Sequence, residues 1–132
     1  MAQIVLTQEE ALKAFHTALC DVYGSGWFNG YGLEFEYDDA AYEAARKKLK
    51  EAGESPCIED VFLQIIKDGG ELKVNDVEGE GDNNGSFTLQ KIVDNISTTP
   101  FDHMADYLNE QGDVITADVI LQSILYREII FG

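Results

Sequence analysis

A chain of 132 residues with 25 acidic and 9 basic side chains carries a formal charge of −16, a field that repels nucleic acid and anionic lipid and attracts basic surfaces. Direct DNA or RNA binding would need a basic stripe that the sequence lacks, and no apolar run approaches the roughly 18 residues of a membrane span. A hydrophobic content of 45%, including 7 Phe, 6 Tyr and 1 Trp, argues for a packed core and against disorder. The start from Met1 to Thr7 lacks the positive segment and long apolar stretch of an export signal, and Cys20 and Cys57 make no disulfide framework. A reduced, cytoplasmic protein is the expectation.

In chain order, Thr7-Gln8-Glu9-Glu10 has the spacing of a capping box, with Thr7 at the N-cap and Glu10 at N3. Leu12, Phe15, Leu19 and Val22 recur at helical spacing up to Gly24, which predicts the first helix. A glycine-rich aromatic stretch then leads into Leu33-Glu34-Phe35-Glu36-Tyr37, whose alternation predicts a half-exposed strand. Asp38 or Asp39 caps an alanine-rich helix running to about Ala52 and closed by Gly53. Its run Arg46-Lys47-Lys48-Leu49-Lys50 suits the negative end of a helix dipole. Ser55-Pro56 predicts a third helix with proline at N1, apolar at Ile58, Val61, Phe62, Ile65 and Ile66, and stopped by Gly69-Gly70. Leu72 to Val77 and Gly85 to Phe87 read as hairpin strands, joined by an acidic, glycine-rich connection from Glu78 to Asn84.

Thr88 caps a short helix with Leu89, Ile92, Val93 and Ile96 on one face. Thr99-Pro100 predicts another cap with proline at N1, and a helix burying Phe101, Met104, Ala105 and Leu108. Thr116 is the expected cap of a helix from Ala117 to about Tyr126 that is apolar almost all round, as a central core helix would be. The tail from Glu128 to Phe131 either continues that helix or turns into a strand. The expected fold class is α+β, about six helices packed with a small antiparallel sheet in a single domain over residues 1–132.

His16 and Cys20 stand four apart on one helix face, the minimal form of a thiol beside a base. With Cys57 and His103 they make four donors of the zinc type. Both border the apolar stripe of the first helix, where cysteine packs as a small hydrophobe, and packing is the expectation. Counted from Asp76, the hairpin connection sets Asp76, Glu78, Glu80, Gly81, Asp82 and Asn84 on a calcium-loop pattern, but Phe87 stands where a bidentate glutamate is required. No nucleophile elbow, phosphate-binding glycine loop or His-Glu-x-x-His helix is present. No catalytic residue, metal or cofactor is therefore expected.

The arrangement of acids is more informative. Asp102, Asp106, Glu110, Asp113 and Asp118 follow one another with no Lys or Arg between them, and the first three are spaced to share a helix face. The hairpin adds Glu71, Asp76, Glu78, Glu80 and Asp82 against the single Lys73. From Glu51 onward there are 17 acids and 4 bases. Like charges four apart destabilise a helix by a few tenths of a kcal/mol each, so a row of them calls for a reason. The expected function is a non-enzymatic acidic protein that engages a basic protein surface, in its sharpest form an inhibitor that imitates nucleic acid. The alternatives are charge serving solubility alone, a small enzyme or enzyme accessory using His16, Cys20 and the Trp27 to Tyr37 segment, and a divalent-ion binder through residues 76–84.

Overall fold

A computed structural model describes residues 6–132. The first five residues, part of the segment on which the expectation of no export signal rests, lie outside them. Helix α1 (Gln8–Ser25) starts at the expected capping box: Thr7 Oγ1 accepts from the Glu10 N–H at 3.1 Å, and Glu10 Oε1 accepts from the Thr7 N–H at 3.0 Å. It runs through Gly24 and ends where Gly26 takes the left-handed conformation, φ 70°. A 3-10 turn over Trp27–Tyr31 leads into strand β1 (Leu33–Glu36). Asp38 caps helix α2 (Asp39–Glu51), its Oδ2 accepting from the Ala41 N–H at 2.9 Å.

Helix α3 (Ile58–Lys67) begins two residues later than a proline at N1 would place it. The reason is a reciprocal cap. Asp60 Oδ2 accepts from the Cys57 N–H at 3.1 Å, so Cys57 becomes the N-cap and Pro56 precedes it. Strands β2 (Leu72–Asp76) and β3 (Gly85–Phe87) complete an antiparallel sheet of order β1-β2-β3, with Leu33 opposite Asp76, Phe35 opposite Val74 and Leu72 opposite Phe87. Strand alternation turns Leu72, Val74 and Asp76 inward together, and all three are buried.

Thr88 caps helix α4 (Leu89–Asn95) as expected. Helix α5 (Phe101–Leu108) departs from expectation. Pro100 is its N-cap, no side chain closes the cap, and the Thr99 hydroxyl is buried without a partner among the described residues. Met104 is buried and Tyr107 partly so, whereas Phe101 is 49% and Leu108 46% exposed. The helix is short and packs chiefly on helix α6 (Val114–Tyr126), so only one narrow stripe of it is covered. Asp113 caps α6, three residues before Thr116, because its Oδ1 reaches the N–H groups of Ile115 at 3.0 Å and Thr116 at 3.1 Å. After α6 the left-handed Arg127, φ 60°, turns the tail back, and residues 128–131 are neither helix nor strand.

The fold is α+β, with six helices and three antiparallel strands among the described residues. Helix α6 is the centre of the core, touching α1, α4, α5 and β3. Its apolar circumference follows from that placement. No helix of the described residues is long and apolar enough to cross a membrane.

Candidate functional site

The hairpin connection is organised by one buried carboxylate. Asp76 ends β2 on its inward face, only 4% exposed, and a buried carboxylate must be hydrogen-bonded. Its Oδ1 accepts from the Gly79 N–H at 2.8 Å, and its Oδ2 from the Asn83 N–H at 3.2 Å and the Asn83 side-chain amide at 3.0 Å. Asn84 Oδ1 in turn accepts from the Asp76 N–H at 2.7 Å. This inner frame holds Glu78, Glu80 and Asp82 outward, all exposed, while Glu71 stands exposed just before β2. Glu80 sits at φ 55°, a left-handed turn position that aims the chain back toward β3. Two contacts seat the loop: the Val77 N–H donates to the Gly32 carbonyl at 3.0 Å, and the Tyr126 hydroxyl donates to the Asn83 carbonyl at 2.8 Å.

The calcium-loop comparison meets this geometry directly. Asp76, its first position, has both oxygens taken by N–H donors, and among the described residues no three His, Cys, Asp or Glu side chains are grouped to hold a metal ion. Millimolar calcium should leave the melting temperature where magnesium at matched ionic strength leaves it. A calcium-specific rise of several degrees in a thermal melt would show that the loop rearranges into a real site.

The acids after residue 100 fall into three different settings. Asp102 and Asp106 are exposed and share one face of α5. Glu110 lies beyond the helix end at φ 59°, so the expected row of three at one-turn spacing stops after two. Asp113 is committed to capping α6, and the Thr116 N–H holds its carboxyl below the usual carboxylate range, with the Thr116 hydroxyl and the Ile115 N–H adding to the effect. Asp118, counted with the acidic face from sequence, is 5% exposed and belongs to the core. Its Oδ2 accepts from the Tyr31 hydroxyl at 2.5 Å and the Trp27 indole N–H at 3.0 Å, and its Oδ1 from the Gln122 amide at 2.8 Å. Burial and then the Asp118 bond push the Tyr31 hydroxyl up to about 12, so it stays a donor. Gln122 Oε1 accepts from the backbone N–H groups of Ile130 at 2.9 Å and Phe131 at 3.0 Å. Phe131 stacks on Tyr31 with ring centroids 5.0 Å apart. The aromatic segment considered for chemistry is thus partly a clasp on the tail.

His16 and Cys20 do meet, with Sγ 3.8 Å from Nε2, but the same Nε2 lies 2.9 Å from Asp60 Oδ1. A carboxylate accepts, so Nε2 carries the proton and donates it to Asp60. No lone pair remains on that nitrogen to take a proton from the thiol, and a nucleophile–base pair is not formed. Burial, then the neighbouring Glu59, Cys57, Asp60 and Asp21, push the Cys20 thiol up to about 11, which keeps it protonated at neutral pH. The arrangement ties α1 to the start of α3. His103, the remaining zinc-type donor, stands half-buried on α5.

Two acidic patches therefore emerge. One is the hairpin loop beside Tyr126 at the C-terminal end of α6, and the other is α5 with Glu110 near the N-terminal end. The 13 residues of α6 set those ends about 20 Å apart. Exposed Phe101, Leu108 and Ile115 (54%) lie on α5 and the first turn of α6, an apolar component that charge counting did not reveal. The i, i+7 spacing of Phe101 and Leu108 was the available signal, but an apolar helix stripe reads by default as core-facing. Comparison with protein-family models, with curated proteins and with solved structures finds no match.

Proposed function

We propose that this protein is a non-enzymatic binding protein whose acidic surface engages a basic protein surface in the place nucleic acid would occupy. The observation that carries this reading is the segregation of charge. Among the described residues the Lys and Arg ion pairs join Arg46 to Glu43, Lys47 to Glu51, Lys48 to Asp68 and Lys73 to Glu71, and His16 is hydrogen-bonded to Asp60. None involves Glu78, Glu80, Asp82, Asp102, Asp106 or Glu110. An acidic surface that served solubility alone would gain by interspersing its cations, whereas here four of the nine are gathered on α2. Carboxylates without cationic neighbours are available to a partner's lysines and arginines, and such fields act chiefly on the rate of encounter.

The test uses host DNA-binding proteins, eluted from immobilised duplex DNA, passed over the immobilised protein. A genuine partner is expected to be displaced by free duplex DNA and to lose affinity steeply between about 50 and 200 mM salt. Replacing Asp102, Asp106 and Glu110 together by Asn or Gln should slow its association several-fold with less change in dissociation. Arg46→Gln with Lys47→Gln is the charge control. Lys48 is left intact because its 2.8 Å bond to Asp68 joins α2 to α3. Retention that ignores both salt and DNA would overturn the proposal.

A further inference from the structure

Between α1 and α5 lies a groove of about 390 Å³ lined by Lys13, Ala14, Thr17, Asp21, Tyr107 and Leu108, with Glu10, Glu110 and Gly112 at its edges. The α1 residues from Glu10 to Asp21 recur every three or four positions, so one stripe of that helix forms a wall about 16 Å long. Small side chains make the trough: Ala14 and Thr17 leave the wall low. At Gly112 even a Cβ would come within 2.4 Å of the Tyr107 ring. Tyr107 forms the floor and donates its hydroxyl to Asp21 Oδ2 at 3.1 Å. Burial, then Asp21, hold that hydroxyl far above its ordinary acidity range, so the floor stays neutral and the negative charge stays on the rim. Among the described residues the rim holds three carboxylates, Glu10, Asp21 and Glu110, against one cation, Lys13, and beside them Leu108 is 46% exposed.

From this geometry we infer that the α1/α5 groove is the docking seat for a basic amphipathic helix of the partner. An apolar side chain of that helix packs on Leu108 and the Tyr107 ring, and its Lys or Arg residues meet Asp21, Glu10 and Glu110. The inference rests on the proposed binding function and localises it. The occupant follows from charge complementarity and length: a wall of three helical turns matches a helix laid along it, anchored at one apolar point and flanked by cations. A neutral or acidic segment would leave the rim carboxylates desolvated without partners, which is costly.

The probe is a synthetic helix of about 14 residues with leucine on one face and arginine on the other, followed by amide chemical shifts of the labelled protein at low salt. Shifts are expected at residues 10–21 and 107–112. Leu108→Lys, at a position already 46% exposed, should weaken the peptide at least tenfold. Lys13→Gln should tighten it two- to five-fold by removing the one opposing charge. Glu80→Gln with Asp82→Asn should change it less than twofold. If the hairpin substitutions weaken the peptide and Leu108→Lys does not, the groove is not the seat, while binding through the acidic surface stands. If the peptide fails to bind at any salt concentration, both inferences fall.

Discussion

Asp118→Ala is expected to lower the unfolding free energy by about 3 kcal/mol, because it strands one buried and two half-buried donors at once. The Trp27 indole, the Tyr31 hydroxyl and the Gln122 amide all donate to this carboxylate, and among the described residues no cation pairs with it. Water entering the vacated space can satisfy some of them, which sets the upper limit. Asp118→Asn is expected to cost less than the alanine change but to act on the tail. An asparagine oxygen can still accept from Trp27 and Tyr31, but its NH₂ then faces the NH₂ of Gln122. Turning the Gln122 amide over would relieve that clash and release the N–H groups of Ile130 and Phe131. Urea unfolding gives the stability change, and amide exchange at residues 130 and 131 reports the release. An alanine variant within about 0.5 kcal/mol of the parent would show that Asp118 does not organise these groups.

The second large effect is expected at Phe62, where Phe62→Ala should cost about 3–5 kcal/mol. Phe62 is fully buried, and its ring contacts those of Tyr23, Tyr37 and Tyr42, with centroids 5.3, 5.2 and 6.2 Å away. These neighbours come from α1, the end of β1 and α2, so one side chain joins three elements to α3. A loss of that size is a large part of the stability of a domain of this length. Phe62→Leu should recover most of it by refilling volume without the edge-to-face contacts. An alanine variant losing under 1 kcal/mol in denaturant titration would mean the tyrosines close over the gap.

The elements legible in the sequence were those with local causes. The Thr7–Glu10 box, the Asp38 and Thr88 caps, and the turn-rich acidic connection depend on residues within a few positions of one another, and each appears in the structure. The misplacements depend on partners far along the chain. Ser55-Pro56 looked like a helix start, but Asp60, also bonded to His16 44 residues away, drew the cap to Cys57. Phe101 and Leu108 looked like core because an apolar stripe does not disclose how little α6 has left to cover. Asp118, being acidic, reads as surface. Its surroundings told otherwise: a single carboxylate on a helix apolar almost all round must be interior and must be hydrogen-bonded. What sequence could not supply was the donor pair, Trp27 and Tyr31, about 90 positions upstream.

The same carboxylate makes the molecule optically convenient. Trp27 is the only tryptophan, and its indole N–H points at Asp118 beside the clasped tail. Indole emission is sensitive to a neighbouring charge and to water, so the fluorescence of this protein monitors one seam, where the 3-10 turn over Trp27–Tyr31, α6 and residues 130–131 meet. Separation of the tail would change the spectrum before global unfolding. Events at the hairpin loop or in the α1/α5 groove would leave it unchanged and need a label of their own.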